Sequence, residues 1–282
     1  MRTKTVDFSK YSSFKIGLTT HVEILEDIED FEYAFPEWIK NSSEKPVLIG
    51  SCNNVLIGTK PPPLYILSKK YDYIKIENNT LKIGAATPSG KVFSFCKKHN
   101  IKNFELVAHL PGTMGGLIYM NAGLKEYEIF NNLISISTPT CELNKEKIDY
   151  GYRYTNINEP ILEAKFELTY GFDEERVDMF KKMRLNQPST PSAGSCFKNP
   201  NGDYAGRLIE DVGLKGFLKG DMCFSNEHAN FLVNNGNGTF DDAIYLIQEA
   251  QKRVYEKFNI WLECEIKVLD IRYIDKLKAP NL

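Results

Sequence analysis

SAGSCFKNP, residues 192–200, follows neither helical nor strand periodicity. It sets small residues, two hydroxyls (Ser192 and Ser195), one thiol, a lysine and an asparagine between Pro191 and Pro200. The lone reading of Ser195 is a turn serine that bonds its own backbone. The alternative is a hydroxyl presented to a ligand, with Gly194, Lys198 and Asn199 around it. The rest of the chain decides between them.

At 282 residues the chain can bury one large core or two to three smaller ones. Hydrophobic residues make up 42% and charged residues 26%, the balance of an ordinary soluble protein. A formal net charge of -2 gives no field for nucleic acid or an anionic membrane. No apolar run approaches the roughly 20 residues of a membrane span, and MRTKTVDFSKYSS lacks a secretory core. Cys52, Cys96, Cys141, Cys196, Cys223 and Cys264 are scattered without a C-x-x-C pair, which argues against zinc and against a disulfide framework. The expectation is a cytoplasmic, monomeric protein with free thiols, no metal, and small-molecule partners only.

The elements fall into segregated blocks, which predicts an α+β fold. In residues 1–60, HVEILED alternates as a strand, IEDFEYAFPEWIKN is a helix interrupted at Pro36, and PVLIG is a buried strand. In residues 61–171, YDYIKIENNTLKIGAAT reads as a hairpin around Asn78 and Asn79. SGKVFSFCKKHN is a helix capped by Ser89, and ILEAKFELTYGF is a strand. In residues 172–265, DEERVDMFKKMRLN is a helix with Asp173 as cap. TFDDAIYLIQEAQKRVYEKFN is a long helix capped by Thr239, with Ile244, Ile247, Ala250, Val254 and Phe258 on one stripe. IWLECEIKVLDI alternates as a final strand, of which residues 266–273 could return to the first block. Residues 274–282 read as a frayed tail.

Two further stretches allow a ligand close to the backbone. In IGSCNNVLIG, the N–H groups of Gly50, Ser51, Cys52, Asn53 and Asn54 can turn inward around an anion such as a pyrophosphate; the bland reading is a polar turn between strands. In LPGTMGGLIYMNAG, Pro111, Gly112, Thr113, Gly115 and Gly116 open an apolar segment ending in Asn121, Ala122 and Gly123. That is either a phosphate-binding helix start or a tight turn feeding a close-packed helix. Neither is a Rossmann fingerprint or a P-loop.

Taken together, GSCNNVLI, LPGTMGGLIYMNAG, YGYRYT, QPSTPSAGSCFKNP, AGRLIEDVGLKG, SNEHANFLVN and FNIWLECEI resemble, in order and spacing, the UDP-N-acetylenolpyruvoylglucosamine reductases. The resemblance runs from about Ser12 to Ile271. It implies a two-part FAD-binding region of the vanillyl-alcohol-oxidase/PCMH type, followed by a C-terminal α+β substrate-binding domain. It implies noncovalent FAD, NADPH as hydride donor, and saturation of an enolpyruvyl ether to give UDP-N-acetylmuramate for peptidoglycan. The glycine-rich stretches, with Asn121 and Gly123, become expected cofactor contacts. With no second dinucleotide motif visible, NADPH and the UDP-sugar are expected to alternate at one site.

The same resemblance assigns chemistry. Hydride addition to the enolpyruvyl methylene leaves negative charge on the adjacent carbon and its carboxylate, so the site must hold that charge and deliver a proton. Ser195 matches the family's proton donor, Arg153 its carboxylate-binding guanidinium, and Glu265 its C-terminal glutamate. Tyr152, Gly194, Lys198 and Asn199 are expected substrate contacts. Glu263 and Glu265 share one face of the expected strand with Lys267, so a solvated face is the competing reading and Glu263 the fallback. His228 is expected to be structural.

The sequence also departs from the family. Ser51, Cys52 and Asn53 stand where a glycine-rich loop is usual, and LKEYE replaces a segment that often carries a tyrosine. The interval from Arg153 to Ser195 is short, as in lidless members. His109, just before the Pro–Gly turn, keeps open a covalent flavin on the same fold, and a nucleotide-binding module without catalysis is the other alternative.

Overall fold

The computed structural model describes residues 1–38 and 45–279. The end of the helix expected over IEDFEYAFPEWIKN and the last residues of the tail lie outside the described residues.

The N-terminal block is β1 (Arg2–Asp7), α1 (Phe8–Tyr11), β2 (Thr19–Leu25), α2 (Ile28–Trp38), β3 (Val47–Leu48), β4 (Val55–Ile57) and β5 (Leu64–Leu67). β1 and β2 pair antiparallel, and β5 joins β2 and β3 in parallel, giving the order β1-β2-β5-β3. The expected break at Pro36 does not occur: α2 continues to Trp38. Within the described part of the helix, Pro36 costs one backbone donor without breaking it. PVLIG contributes only two strand residues, because its chain turns at once into the Gly50 loop.

The second block is β6 (Ile74–Glu77), β7 (Thr80–Gly84), α3 (Ser89–Lys98), α4 (Met114–Tyr119), β8 (Gly123–Leu124), β9 (Tyr127–Glu128), β10 (Leu133–Ser137), β11 (Glu142–Asn144), β12 (Tyr150–Gly151), β13 (Tyr154–Thr155) and β14 (Glu163–Glu167). Five of these strands form an antiparallel sheet in the order β11-β10-β14-β7-β6. Its β6–β7 turn places Asn78 at φ 48° and Asn79 at φ 59°, the left-handed pair that a two-residue hairpin loop requires. Ser89 is not the cap of α3. Pro88 holds that position, and Ser89 is the first helical residue, buried under the loop whose Gly112 carbonyl accepts its N–H at 2.9 Å.

The third block is α5 (Glu174–Met183), β15 (Ser192–Ser195), α6 (Ala205–Asp211), β16 (Leu218–Lys219), β17 (Met222–Phe224), β18 (Phe231–Asn234), α7 (Phe240–Phe258) and β19 (Lys267–Leu269). Asp173 caps α5, accepting from the N–H groups of Glu175 and Arg176. Thr239 caps α7 in a reciprocal box with Asp242. The antiparallel sheet β15-β18-β17-β16 shares its core with α6 and α7. Ile244, Ile247, Ala250 and Val254 lie fully against that core, each large aliphatic contributing about 1.5–3 kcal/mol of burial. Phe14, Ile16 and Leu56 from the N-terminal block pack into the same cluster.

Two expectations at the C-terminus need correction. Residues 260–266 form no strand; among the described residues an isolated bridge links Cys264 to Phe197, and the strand is limited to β19, which runs parallel to β4. Alternating polarity reports an extended chain, not which partner it finds. The tail is not frayed where it is described: Leu277 is 7% exposed in the α7 core, and the buried Gln251 amide donates to its carbonyl at 2.9 Å.

Candidate functional site

The serine segment is irregular for a specific reason. A register shift between Ser192 and Ser195 interrupts the β15–β18 ladder, and Gly194 supplies a φ of +79° at the shift. Beyond it, Asn230 clamps the chain. Its carbonyl accepts from Cys196 N–H at 2.7 Å, and its side chain bonds both the N–H and the carbonyl of Phe197 at 3.0 and 2.8 Å. Cys196 and Phe197 are buried, while Ser195 is half-buried. Among the described residues no protein group bonds the Ser195 hydroxyl, so the turn-serine reading is not realised. Burial pushes the Cys196 thiol well up, which makes it inert beside the serine.

Glu265 lies next to this segment, its N–H donating to the Cys196 carbonyl at 2.9 Å. Its carboxylate meets Arg153 Nε at 3.2 Å, and both side chains are largely covered, at 13% and 16% exposure. Burial raises the Glu265 pKa, and Arg153 opposes that rise. Arg153 occupies the β12–β13 turn at φ +54°, a left-handed conformation uncommon for a long side chain. Glu263 does not share this environment. It is 68% exposed and paired with Lys198 at 2.7 Å, so the solvated-face reading applies to Glu263 and not to Glu265.

A cavity of about 660 Å³ opens among the blocks. Of the expected cofactor contacts, Gly50, Thr113, Gly115 and Gly116 line it. Gly50 and Thr113 touch so closely that a Cβ on Gly50 would fall 2.4 Å from Thr113 Oγ1. A Cβ on Gly115 would come within 3.0 Å of Ala85 Cβ, and the Gly115 N–H is bound to the Ala85 carbonyl, so this glycine serves close packing. The following loop keeps its donors: among the described residues the N–H groups of Ser51, Cys52, Asn53 and Asn54 bond no protein acceptor, with Cys52 left-handed at φ +53°. Ser51, Cys52, Asn53 and Asn54 are not among the residues that line the cavity, but a run of free N–H groups is the kind of backbone that can bind an anion. Asn53 accepts from Ser13 Oγ, and the Asn54 amide donates to the Glu265 carbonyl at 2.9 Å, tying the loop to the carboxylate segment.

Other expected contacts have different surroundings. Pro111 and Gly112 lie off the cavity wall. The Asn121 side chain is fully buried and bonded to Glu128 and to the Gly151 carbonyl, while the Asn121 and Gly123 carbonyls accept from Arg153. Asn199 accepts from Ala205 N–H at the start of α6, a helix-start role. Burial raises the Tyr152 phenol, with the Glu265 carboxylate acting in the same direction. His228 accepts from Asn230 N–H and packs edge-on against Phe231, as a structural residue would. His109 does not line the cavity; its Nε2 is buried without a partner. No group of three or more metal-ligating side chains occurs among the described residues.

Sequence reasoning missed most of the apolar wall. Val47, Leu48, Ile66, Leu67 and residues 157–161 line the cavity from strand ends and a plain loop. Tyr273, Ile274 and Leu277 line it from the tail. None carries a local signal, because their position depends on tertiary packing.

The C-terminal domain family of UDP-N-acetylenolpyruvoylglucosamine reductase matches residues 186–269. The chain is 45% identical over 269 residues to the UDP-N-acetylenolpyruvoylglucosamine reductase of Campylobacter jejuni strain RM1221, covering 94% of this chain and 99% of that one. It is 40% identical over 265 residues to the enzyme of that name from Helicobacter pylori strain 26695, covering 94% and 98%. A crystal structure of the Thermus caldophilus enzyme superposes with a TM-score of 0.80 at 26% identity, over 95% of this chain and 99% of that one.

Proposed function

Since the chain belongs to the UDP-N-acetylenolpyruvoylglucosamine reductase family, and is therefore an oxidoreductase of peptidoglycan synthesis, we propose how its own residues divide the work. On this reading residues 1–60 and 61–171, with β19, hold noncovalent FAD, and residues 172–265 hold the UDP-sugar. The cavity fits such a group: its volume lies in the range of about 300–1,000 Å³ common for ligand sites. The free N–H groups of residues 51–54 suit a diphosphate, and an added Cβ at Gly50 would close the approach between the two loops. FAD, when bound, would be reduced by NADPH and would then supply the hydride.

The remaining steps belong to the protein. The Arg153 guanidinium binds the enolpyruvyl carboxylate and stays charged as negative charge grows there. Burial raises the Glu265 pKa while Arg153 opposes the rise, and in its protonated form Glu265 would donate a hydrogen bond to the same oxygens. The Ser195 hydroxyl delivers a proton to the carbon next to the carboxylate. A hydroxyl is a weak acid, but a carbanion is basic enough to take its proton. The observation that carries this reading is the convergence of the three segments: Glu265 bonds Arg153 through its side chain and the residue after Ser195 through its backbone.

Stopped-flow flavin absorbance tests it. Ser195→Ala should be reduced by NADPH at close to the normal rate, whereas reoxidation by the enolpyruvyl UDP-sugar should slow by at least about 10²-fold, the lower end of general acid catalysis. Slowed reduction with intact reoxidation would remove Ser195 from the proton-donor role.

A further inference from the structure

Arg153 bonds three acceptors: Nε to Glu265 Oε1 at 3.2 Å, Nη1 to the Asn121 carbonyl at 3.4 Å and Nη2 to the Gly123 carbonyl at 2.6 Å. A guanidinium has five N–H donors, so one on Nη1 and one on Nη2 remain for a substrate carboxylate. Two of the three bonds that orient the group therefore come from the turn at residues 121–123.

That turn is fixed from behind. Asn121 stands at φ +43° and is fully buried. Its Nδ2 donates to Glu128 Oε2 at 2.7 Å and to the Gly151 carbonyl at 3.0 Å, and its Oδ1 accepts from Phe130 N–H at 3.4 Å. The bond to Gly151 reaches β12, the strand that leads into Arg153. One amide thus ties together the root of the arginine hairpin and the carbonyls that receive its tip. Gly123 completes the turn, since a Cβ there would fall 2.3 Å from the Tyr127 carbonyl oxygen.

We propose that Asn121 and Glu128 are positioning residues, which hold the Arg153 fork in the orientation that receives the enolpyruvyl carboxylate. This rests on the reading of Arg153 given above, and it gives Asn121 and Gly123 a substrate-side task in place of the cofactor contact expected from the sequence.

Isothermal titration of the flavin-loaded enzyme with two ligands separates the possibilities. UDP-N-acetylglucosamine lacks the whole enolpyruvyl ether, so the ratio of its Kd to that of the enolpyruvyl UDP-sugar reports recognition of the group that carries the carboxylate. Asn121→Gly keeps the left-handed backbone and deletes only the amide. Glu128→Ala deletes its anchor, and Glu128→Gln retains an acceptor. Asn121→Gly and Glu128→Ala should weaken the enolpyruvyl compound by at least about 10-fold, the loss of one well-aimed charged hydrogen bond. They should leave UDP-N-acetylglucosamine within about twofold, and Glu128→Gln should restore most of the difference. If Arg153→Met abolishes the carboxylate preference but neither Asn121→Gly nor Glu128→Ala changes it, the positioning role is wrong. Equal weakening of both ligands would also overturn it, because a general structural defect has no reason to single out the carboxylate. If Arg153→Met leaves the preference intact, the reading of Arg153 itself falls, and the inference with it.

Discussion

Replacing Arg153 by methionine leaves Glu265 buried without its cation. Methionine keeps a comparable stem and the same left-handed backbone cost at φ +54°; the bonds to the Asn121 and Gly123 carbonyls are lost at every pH, so the pH-dependent part of the difference isolates the charge. In the native protein burial raises the Glu265 pKa, and Arg153 is the largest influence that lowers it. Without Arg153 the folded-state pKa should climb further above the unfolded value of about 4.3. A carboxyl raised in this way binds more protons folded than unfolded, so the variant loses stability as pH rises from the unfolded pKa through the folded one. At pH 5 the carboxyl can stay neutral, and the cost should be that of the three lost hydrogen bonds, about 0.5–1.5 kcal/mol each. At pH 8 the choice is between an unpaired buried charge, about 3–5 kcal/mol, and protonation at about 1.4 kcal/mol per unit between pH and pKa. The variant should therefore lose about 2 kcal/mol more at pH 8 than at pH 5, and adding Glu265→Gln should remove the pH dependence. Urea unfolding followed by far-UV circular dichroism at the two pH values measures both. A cost that is the same at pH 5 and pH 8, or a double variant that keeps the slope, would mean that Glu265 is not the group whose rise in pKa Arg153 opposes.

Gly50→Ala should lower flavin retention through gel filtration and cost about 1–3 kcal/mol of stability, because the new methyl meets Thr113 Oγ1 at 2.4 Å. Thr113→Ala removes that oxygen and forfeits no cap bond, so the pair should recover much of the loss; additive damage would count against the contact. Leu277→Ala should destabilise by about 2–5 kcal/mol, as a core leucine does, whereas a frayed tail would tolerate it within about 0.5 kcal/mol. Alkylation at neutral pH should modify Cys141 first, since it is the exposed thiol while burial pushes Cys52 up to about 12; mass spectrometry finding Cys52 labelled first would contradict this.

The legible parts of the sequence were those with local physical signatures. The Asn78–Asn79 hairpin, the Asp173 and Thr239 caps and the apolar stripe of α7 each follow from backbone preference or from a 3.6-residue period. Ser195, Arg153 and Glu265 were legible through family resemblance, and their spacing in the chain says nothing of their meeting. Glu263 shows the limit. Alternation placed it on a par with Glu265, and only the tertiary partners Lys198 and Arg153 separate an exposed carboxylate from a buried one. Asn121 shows another: its type and turn suited a ligand contact, yet burial commits its amide to Glu128 and Gly151.

The segment after α7 has a consequence for insertions and deletions. Its first end is set by Asn259, the left-handed cap of α7, and its far end by the pairing of Lys267 with Val55. Between them Gln251 holds the Leu262 carbonyl, Lys198 N–H holds that of Glu263 and Asn54 holds that of Glu265. With both ends and three carbonyls pinned, the segment behaves as a ruler whose length sets where the Glu265 carboxylate falls. One residue more or fewer between Asn259 and Lys267 would put these pinned points out of step and move Glu265 relative to Arg153, while leaving the elements at either end intact. Homologous chains that vary freely in loop length elsewhere should keep this count.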